Sequence, residues 1–406
     1  MSAKKALLVA YGGGHITMIV PVARELAAQG VEVTILALTT ARPAALASGF
    51  PVLGFADVLD PERDEAALVW GRKLAGDLDQ SSVVAPEETV AYLGLSYADL
   101  IERLGPEEAQ AAYRRLGRQC LLPVTVLERF LDRLQPDVVV ATTAPRAERA
   151  ALMAAGRRGI PTVCISGLFA IQEAPGLVAA DFITRICVLA DGVRDRLVQA
   201  GRPEADLVVT GNPAFDVLAE RRDSFDHRAW RAGRGWAETD KVILWASQPE
   251  PKVHPFTGVA GDPDLPRRID RVLLDALASH PDWRLVFRAH PSETHVWADL
   301  PDRVEVSGRS DDLTELLLGA DCVLTMSSTV GLEAALVGTP VVQLQCSIFS
   351  ADAPYAAMGL ARAAATPTDV PRALEQVWSD TGWHVAGLPP VGGSARRVAS
   401  VITSLL

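Results

Sequence analysis

The feature that most constrains the fold of this chain is the regular alternation of short apolar runs with longer amphipathic stretches. The run KALLVAYG is strand-like, ITMIVPVARELAAQG is helix-like and ends at Gly30, and VEVTILAL is again strand-like. The stretches PDVVVATT, AERAALMAAGRRGI and PTVCISG repeat the pattern. Continuous apolar strands separated by helices predict parallel sheets with helices on both faces.

The alternation forms two series that together cover almost the whole chain. After LVVTGNPAFDVL, the strand-like runs are KVILWAS, WRLVFRAHP, RVEVSG, ADCVLTMSS and TPVVQLQ. A chain of 406 residues, of which 49% are hydrophobic, is too long for one ordinary core. We therefore predict two doubly wound α/β domains, over 1–210 and 211–390, and a C-terminal helix over 391–406.

Residues 58–134 interrupt the first series. This segment is rich in Glu, Arg and Ala, and its aromatic residues include Trp70, Tyr92, Tyr97 and Tyr113. We predict a helical insertion on the first sheet. Two interpretations stay open, since such an insertion can hold a specific substrate or can simply cover the sheet.

Charge and cysteine content exclude several classes of protein. A formal net charge of -11 argues against the nucleic-acid backbone as the main partner. The five cysteines have no C-x-x-C spacing, which indicates reduced, packed thiols in a cytoplasmic protein and neither a metal cage nor a disulfide framework.

Membrane association is constrained less strongly. The N-terminal apolar stretch is too short for a signal peptide, and no apolar run of membrane-spanning length follows. Met18, Ile19 and Val22 could face lipid as a peripheral contact, although covering a sheet is the commoner use of such a helix face. The oligomeric state is left open.

The first candidate site is the stretch YGGGHI at the end of the first predicted strand. Gly13 and Gly14 allow a ligand to approach the backbone, and the following helix start offers N–H groups to an anion. The stretch matches neither the G-x-G-x-x-G fingerprint nor a P-loop. His15 is either a residue that completes the turn or, because its intrinsic pKa is near neutral, a catalytic base.

Two further candidate stretches lie at strand ends of the second domain. In FRAHPSE, Arg288 and His290 alternate along a strand and so project to the same side, where they suit a phosphate oxygen. The alternative is a surface loop with incidental charge. In WASQPEPKVHP, Ser247 and Gln248 are weaker candidates for contact with a phosphate or a base.

The strongest candidate is TMSSTVGLEAALVGTPVV. A buried strand ends in Ser327, Ser328 and Thr329, and the helix that starts there carries Glu333 in about its first turn. The hydroxyls can cap the helix, whose N–H groups and positive dipole end suit a diphosphate. An ordinary helix cap explains each of these residues separately, but it does not explain why they occur together with Arg288.

The stretches GGGH, TGNPAFD, RAHP and SSTVGLEAALVGTPVV together resemble the GT-B superfamily of nucleotide-sugar enzymes. That superfamily includes bacterial glycosyltransferases and the UDP-N-acetylglucosamine 2-epimerases. The resemblance implies two facing doubly wound Rossmann-like domains, with the donor nucleotide on the C-terminal domain and the acceptor usually on the N-terminal one. It also implies that the C-terminal helix crosses back onto the first domain. In such sheets ligands bind at the carboxyl ends of the strands, so the cleft between the domains is the expected site.

The resemblance also implies a role for particular positions. Ser328 and Thr329 would meet the diphosphate and Glu333 the ribose. The remaining positions would lie near the phosphates or border the base: Arg288, His290, Val306 and Ser307.

The epimerase branch of the superfamily fits this chain less well. Those enzymes carry a G-T-R-P-E stretch and an H-G-D segment, where this chain has YGGGHI and ATTAPRAE. We therefore expect a glycosyltransferase that moves a sugar from a nucleotide-diphosphate sugar, with UDP favoured, to an acceptor hydroxyl. His15 would be the base, with Glu148 and Glu173 as weaker acid/base candidates.

No D-x-D pair is evident, so we expect a reaction without a metal or other cofactor. The alternatives are a nucleotide-sugar hydrolase or 2-epimerase of the same fold, a non-catalytic nucleotide-sugar-binding protein, and an interaction scaffold.

Overall fold

The computed structural model describes residues 3–76, 84–255, 257–308, 310–380, 385 and 387–406. The chain divides into two compact units. Unit 1 contains Met1–Ala214 together with Gly393–Leu406, and unit 2 contains Phe215–Gly392. The boundary lies slightly beyond the one predicted between residues 210 and 211.

Unit 1 is built on a seven-stranded parallel sheet in the order β3-β2-β1-β4-β5-β6-β7. Its strands are β1 Lys5–Ala10, β2 Glu32–Ala37, β3 Val52–Leu53, β4 Val138–Thr142, β5 Thr162–Ser166, β6 Arg185–Val188 and β7 Leu207–Val209. Every residue of β4 and β5 is buried, as expected for central parallel strands with helices on both faces. The chain winds outward from β1 in one direction and then returns to add β4 on the other side, so the order reverses between β1 and β4.

The helices of unit 1 cover this sheet and form the predicted insertion. They are α1 Gly13–Ala28, α2 Arg42–Leu46, α3 Glu65–Gly76, α4 Pro86–Leu104, α5 Pro106–Leu116, α6 Val124–Leu134, α7 Ala147–Arg157, α8 Ala174–Val178 and α9 Asp191–Gln199. The predicted insertion over 58–134 contains α3 to α6, and its residues 77–83 lie outside the described part. Three of its aromatic residues pack together, with Tyr97 between Trp70 and Tyr113.

Unit 2 is a six-stranded parallel sheet in the order β10-β9-β8-β11-β12-β13. Its strands are β8 Lys241–Ala246, β9 Trp283–Arg288, β10 Val304–Ser307, β11 Cys322–Thr325, β12 Val341–Leu344 and β13 Arg362–Ala364. Its helices are α10 Val217–Ser224, α11 His227–Gly233, α12 Leu265–Leu277, α13 Leu313–Gly319, α14 Thr329–Val337 and α15 Val370–Ser379. Large side chains such as Trp245, Trp283 and Phe287 fill the core on one face of the sheet. The predicted fold class, α/β with two Rossmann-like domains, is confirmed.

The last helix, α16 Ser394–Thr403, belongs to unit 1 although it follows unit 2 in the chain. Val398 and Ile402 are buried in the same core as α1. Arg397 Nε also donates to the carbonyl of Thr210 at 2.8 Å. The helix therefore closes the first sheet from the far end of the sequence.

The apolar face of α1 is buried within unit 1. Met18 is 8% exposed, and Ile19 and Val22 are 0% exposed. These side chains pack in the core with β1 and α16. The alternative in which they face lipid is wrong, because the sheet and α16 already cover them. Among the described helices, none combines the length and the apolar character needed to span a bilayer.

Candidate functional site

In unit 1 the structure joins two residues that lie far apart in sequence. His15 is near the start of α1, after β1, and Glu148 is near the start of α7, after β4. His15 Nδ1 lies 2.8 Å from Glu148 Oε1. The pair sits where the strand order reverses between β1 and β4, which is where doubly wound sheets bind their ligands.

Glu148 is held rigidly by the backbone around it. Its side chain is 0% exposed. Oε1 accepts from the Tyr11 N–H at 2.6 Å, and Oε2 accepts from the Ala144 N–H at 3.0 Å. The Thr142 hydroxyl also donates to Oε2. A buried carboxylate with this many donors is kept in one orientation, so it fixes the imidazole beside it.

The contact with Glu148 sets both the tautomer and the proton affinity of His15. An ionised carboxylate only accepts, so Nδ1–H donates and Nε2 of the neutral ring is left as the acceptor. Burial by itself lowers the pKa of His15. The hydrogen bond and charge of Glu148, with the charge of Glu173, nevertheless raise that pKa above 6.5, against a lowering by Arg146. Because the His15 side chain is 33% exposed, the ring can exchange a proton with a bound molecule.

The glycines before His15 differ in whether the protein already uses them. The Gly13 N–H donates to Thr40 Oγ1 at 3.0 Å, so the protein itself occupies this donor. A side chain at Gly14 would meet nothing within 4 Å. The close approach of a ligand to Gly13 and Gly14 stays a prediction.

A cavity of about 680 Å³ lies beside the pair, entirely within unit 1. Its polar lining includes His15, Arg146, Arg149 and Glu173. Glu173, a weaker acid/base candidate from the sequence, thus lies at the same cavity as His15. A second cavity of about 560 Å³ is lined by the insertion helices, and Tyr11 lines both.

In unit 2 the strand register places the predicted residues at one edge of the sheet. Ser307 of β10 pairs with Arg288 of β9, which also pairs with Ala246 of β8; Ala246 in turn pairs with Thr325 of β11. Arg288 Nη1 donates to Ser307 Oγ at 2.7 Å and to the carbonyl of Gly308 at 3.1 Å. Ser307 is therefore a support for Arg288.

Gln248 and Ser327 bridge the point where the second sheet reverses its order, between β8 and β11. Gln248 Nε2 donates to Ser327 Oγ at 2.8 Å, and the Ser327 N–H donates to Gln248 Oε1 at 3.2 Å. Ser247 is 3% exposed, accepts from Arg267 and donates to Glu293. Ser247 and Gln248, predicted to touch the ligand, are thus both engaged within the protein and shape the edge of the sheet.

The start of α14 has the predicted cap. Ser328 Oγ accepts from the Val330 N–H at 3.4 Å, and Thr329 is the first residue of the helix. The first turn of α14 holds no acidic residue, and Glu333 lies just beyond that turn. Burial raises the pKa of Glu333 to about 7, although the charge of Arg288 lowers it. The cap and both charged residues therefore belong to one region of unit 2.

His290 and Val306 are both accessible. His290 Nδ1 accepts from the Ser292 N–H at 3.2 Å, so its Nε2 carries the proton of the neutral ring and can donate to an anion. Val306 is 45% exposed on the edge strand β10.

Several residues at these sites carry no sequence signal of their own. The sequence does not identify Tyr11 and Thr142 as supports of Glu148, nor Arg146 and Arg149 as cavity residues. The sequence indicated this region only through the stretches YGGGHI and ATTAPRAE, each of which follows a predicted buried strand. Among the described residues, no cluster of three or more His, Cys, Asp or Glu side chains could hold a metal ion.

Comparison with known proteins gives one family and a consistent fold. Residues 108–378 match the model of a family described as UDP-N-acetylglucosamine 2-epimerase. No curated protein matches the chain. The nucleotide-sugar enzymes that the sequence resembles are thus also those that the comparisons find.

Solved structures agree over nearly the full length. The UDP-GlcNAc 2-epimerase from Neisseria meningitidis, bound to UDP-GlcNAc, has a TM-score of 0.60 at 14% identity, covering 98% of this chain and 100% of its own. The UDP-GlcNAc 2-epimerase from Methanocaldococcus jannaschii has 0.58 at 14%, covering 98% and 99%. The glycotransferase of kitacinnamycin has 0.53 at 17%, covering 100% of both chains. At such identities these matches establish the fold.

Proposed function

Because the chain belongs to the UDP-N-acetylglucosamine 2-epimerase family, we propose that it is an enzyme that acts on a UDP-sugar and uses the His15–Glu148 pair for proton transfer. Two reactions are compatible with this pair. We place 2-epimerisation of the sugar first and transfer of the sugar to a hydroxyl second.

One observation carries the proposal. The two stretches in which this chain departs from the epimerase pattern, YGGGHI and ATTAPRAE, contain His15 and Glu148 respectively. In the folded chain these two residues are hydrogen-bonded at 2.8 Å. The residues that replace the family's usual groups thus form an acid/base pair of their own, which supports a chemical role for that pair.

The first candidate, 2-epimerisation, has the support of the family model over residues 108–378. That support ranks it above the transfer that the sequence alone favoured. Inverting the configuration at C2 requires that the C2 proton leave and that a proton return from the other face. Neutral His15 has a free Nε2 to accept a proton, and Glu148 stabilises the imidazolium that results.

The second candidate, transfer of the sugar to a hydroxyl, is favoured by the form of the site. A single imidazole oriented by a buried carboxylate, opening onto a cavity, suits the deprotonation of a hydroxyl group or of water. The departure from the G-T-R-P-E and H-G-D stretches supports this candidate as well.

We assign nucleotide binding to unit 2. The N-terminal end of α14, Arg288 and His290 supply positive charge and donors for a diphosphate. Glu333 would accept from the ribose hydroxyls. Since these groups neutralise the leaving diphosphate without a cation, we expect EDTA to leave turnover unchanged.

The proposal is tested with His15→Asn and Glu148→Gln. We expect each to lower turnover of UDP-GlcNAc by ~10²–10⁴, because general acid–base catalysis contributes that much. The affinity for UDP, measured by calorimetry, should not change. His227→Asn, which removes an exposed imidazole on α11, is the control. Full turnover in His15→Asn would remove the pair from the reaction.

A further inference from the structure

The cavity beside His15 is lined by two guanidinium groups that form no ion pair with any described residue. Arg146 and Arg149 both line it. Within the described part of the chain, neither has a carboxylate within the 4.0 Å of an ion pair. Each lies near an aromatic ring: Arg146 is 4.2 Å from the Tyr11 ring centroid and Arg149 is 5.9 Å from that of Phe182. Arg146 Nε is buried and has no hydrogen-bond partner among the residues that the structure describes.

Other arginines of unit 1 do have a carboxylate partner. Arg129, Arg158 and Arg202 each form an ion pair with an aspartate within 3 Å. A guanidinium keeps its charge under all ordinary conditions, so two unpaired ones at a cavity attract an anion. Fork geometry makes a carboxylate a suitable partner for either of them.

The other residues that line the cavity indicate what kind of molecule would carry the anionic group. Its apolar lining includes Leu152, Leu177, Phe182 and Ile183. A volume of about 680 Å³ lies in the range of small-molecule sites. The lining therefore suits a compact molecule with an apolar body and a charged end.

We propose that this cavity binds a small organic acid, a hydroxylated carboxylate with a partly apolar body, whose carboxylate pairs with Arg146 and Arg149. Binding of the acid stands independently of the proposed function; only its role as acceptor rests on the second candidate reaction. In that reaction His15 takes the hydroxyl proton, the hydroxyl oxygen bonds to C1 of the sugar, and the C1–O bond breaks with its electron pair leaving on UDP.

The test is calorimetry with 4-hydroxybenzoate and 4-hydroxyphenylacetate, each compared with its neutral amide. We expect each acid to bind about tenfold or more tightly than its amide, since hydrogen bonds to charged groups are worth more than neutral ones. Arg146→Gln and Arg149→Gln should each weaken acid binding by about tenfold and leave UDP binding unchanged. Arg157→Gln, at the exposed end of α7, is the matched control.

Four results would overturn the proposal. The first is that neither acid binds at millimolar concentration, and the second is that acid and amide bind equally. The third is that both arginine variants leave acid binding unchanged while melting like the parent protein. The fourth is that the variants weaken the binding of UDP instead of the acid. The arginines then bind the nucleotide, and the acid site is rejected. Failure of the proposed function is distinct, since it shows as unchanged turnover in His15→Asn.

Discussion

The carboxylate of Glu148 fixes both the orientation and the proton affinity of His15. It does so because Tyr11, Thr142 and Ala144 donate to it from the ends of two neighbouring strands. The catalytic candidate therefore depends on backbone geometry as much as on the imidazole. The buried carboxylate cannot be replaced by a neutral group without changing the pKa of His15.

We predict that Glu148→Gln shifts the pH profile of turnover to lower pH. In the parent protein the rising limb should lie above pH 6.5, because Glu148 raises the pKa of His15 and only the neutral ring accepts a proton. Removing the carboxylate's charge lowers that pKa, so the neutral form persists at lower pH. The measurement is kcat for UDP-GlcNAc as a function of pH. An unchanged midpoint would show that Glu148 does not tune the base.

A second prediction concerns the effect of Glu333 on the stability of unit 2. Its pKa is raised to about 7 from 4.5, so the folded state holds this proton more tightly than the unfolded state does. Stability is therefore lost as pH rises from 4.5 to about 7. Glu333→Gln mimics the protonated form and should stabilise unit 2 above that range by up to about 3 kcal/mol, with no gain in acid.

Denaturant unfolding below pH 4.5 and above about pH 7 measures this difference in stability. Glu220→Gln, an exposed carboxylate on α10, is the control and should change little. Equal stability of the Glu333 variant and the parent protein above pH 7 would contradict the raised pKa.

Among the elements, α16 shows that a helix can complete a unit from which it is distant in sequence. Ile402 is 0% exposed in the core of unit 1. We predict that Ile402→Ala destabilises unit 1 by about 2–5 kcal/mol, through lost burial and the cavity that remains. Amide hydrogen exchange in β1 and α1 is the readout, with exposed Ser400→Ala as control. Unchanged protection there would contradict the packing.

The strands and helices were predictable wherever the hydrophobic pattern is continuous. β4, β5, β8 and β9 coincide with the apolar runs in the sequence because buried parallel strands require such runs. The helical character of the insertion followed in the same way. By contrast, no local pattern reveals that α16 packs in the same core as α1.

The site was predictable only in part. The predicted fold was enough to identify the carboxyl ends of the strands as candidate sites. His15, Arg288 and the start of α14 lie at such ends. The contact between His15 and Glu148 spans 133 residues, and tertiary register determines it. The same holds for Ser247 and Gln248, whose partners inside the protein could not be read from their neighbours in sequence.

Across the whole molecule, the two units repeat one design. Each sheet reverses its strand order once, and in each unit two strand-end segments are bridged at that reversal. The bridge in unit 1 is the titratable pair His15–Glu148; in unit 2 it is the neutral pair Gln248–Ser327. This difference supports a division in which unit 1 transfers protons and unit 2 holds the nucleotide.

The most direct measurement of that central proposal is NMR of the products formed when the protein is incubated with UDP-GlcNAc alone in D₂O. We expect the 2-epimer, with deuterium at C2, and its loss in His15→Asn. Free UDP with released sugar would instead indicate hydrolysis, and turnover only after addition of a hydroxyl acceptor would indicate transfer. If UDP-GlcNAc stays unchanged with and without acceptors, and neither it nor UDP binds, the protein is not a UDP-sugar enzyme.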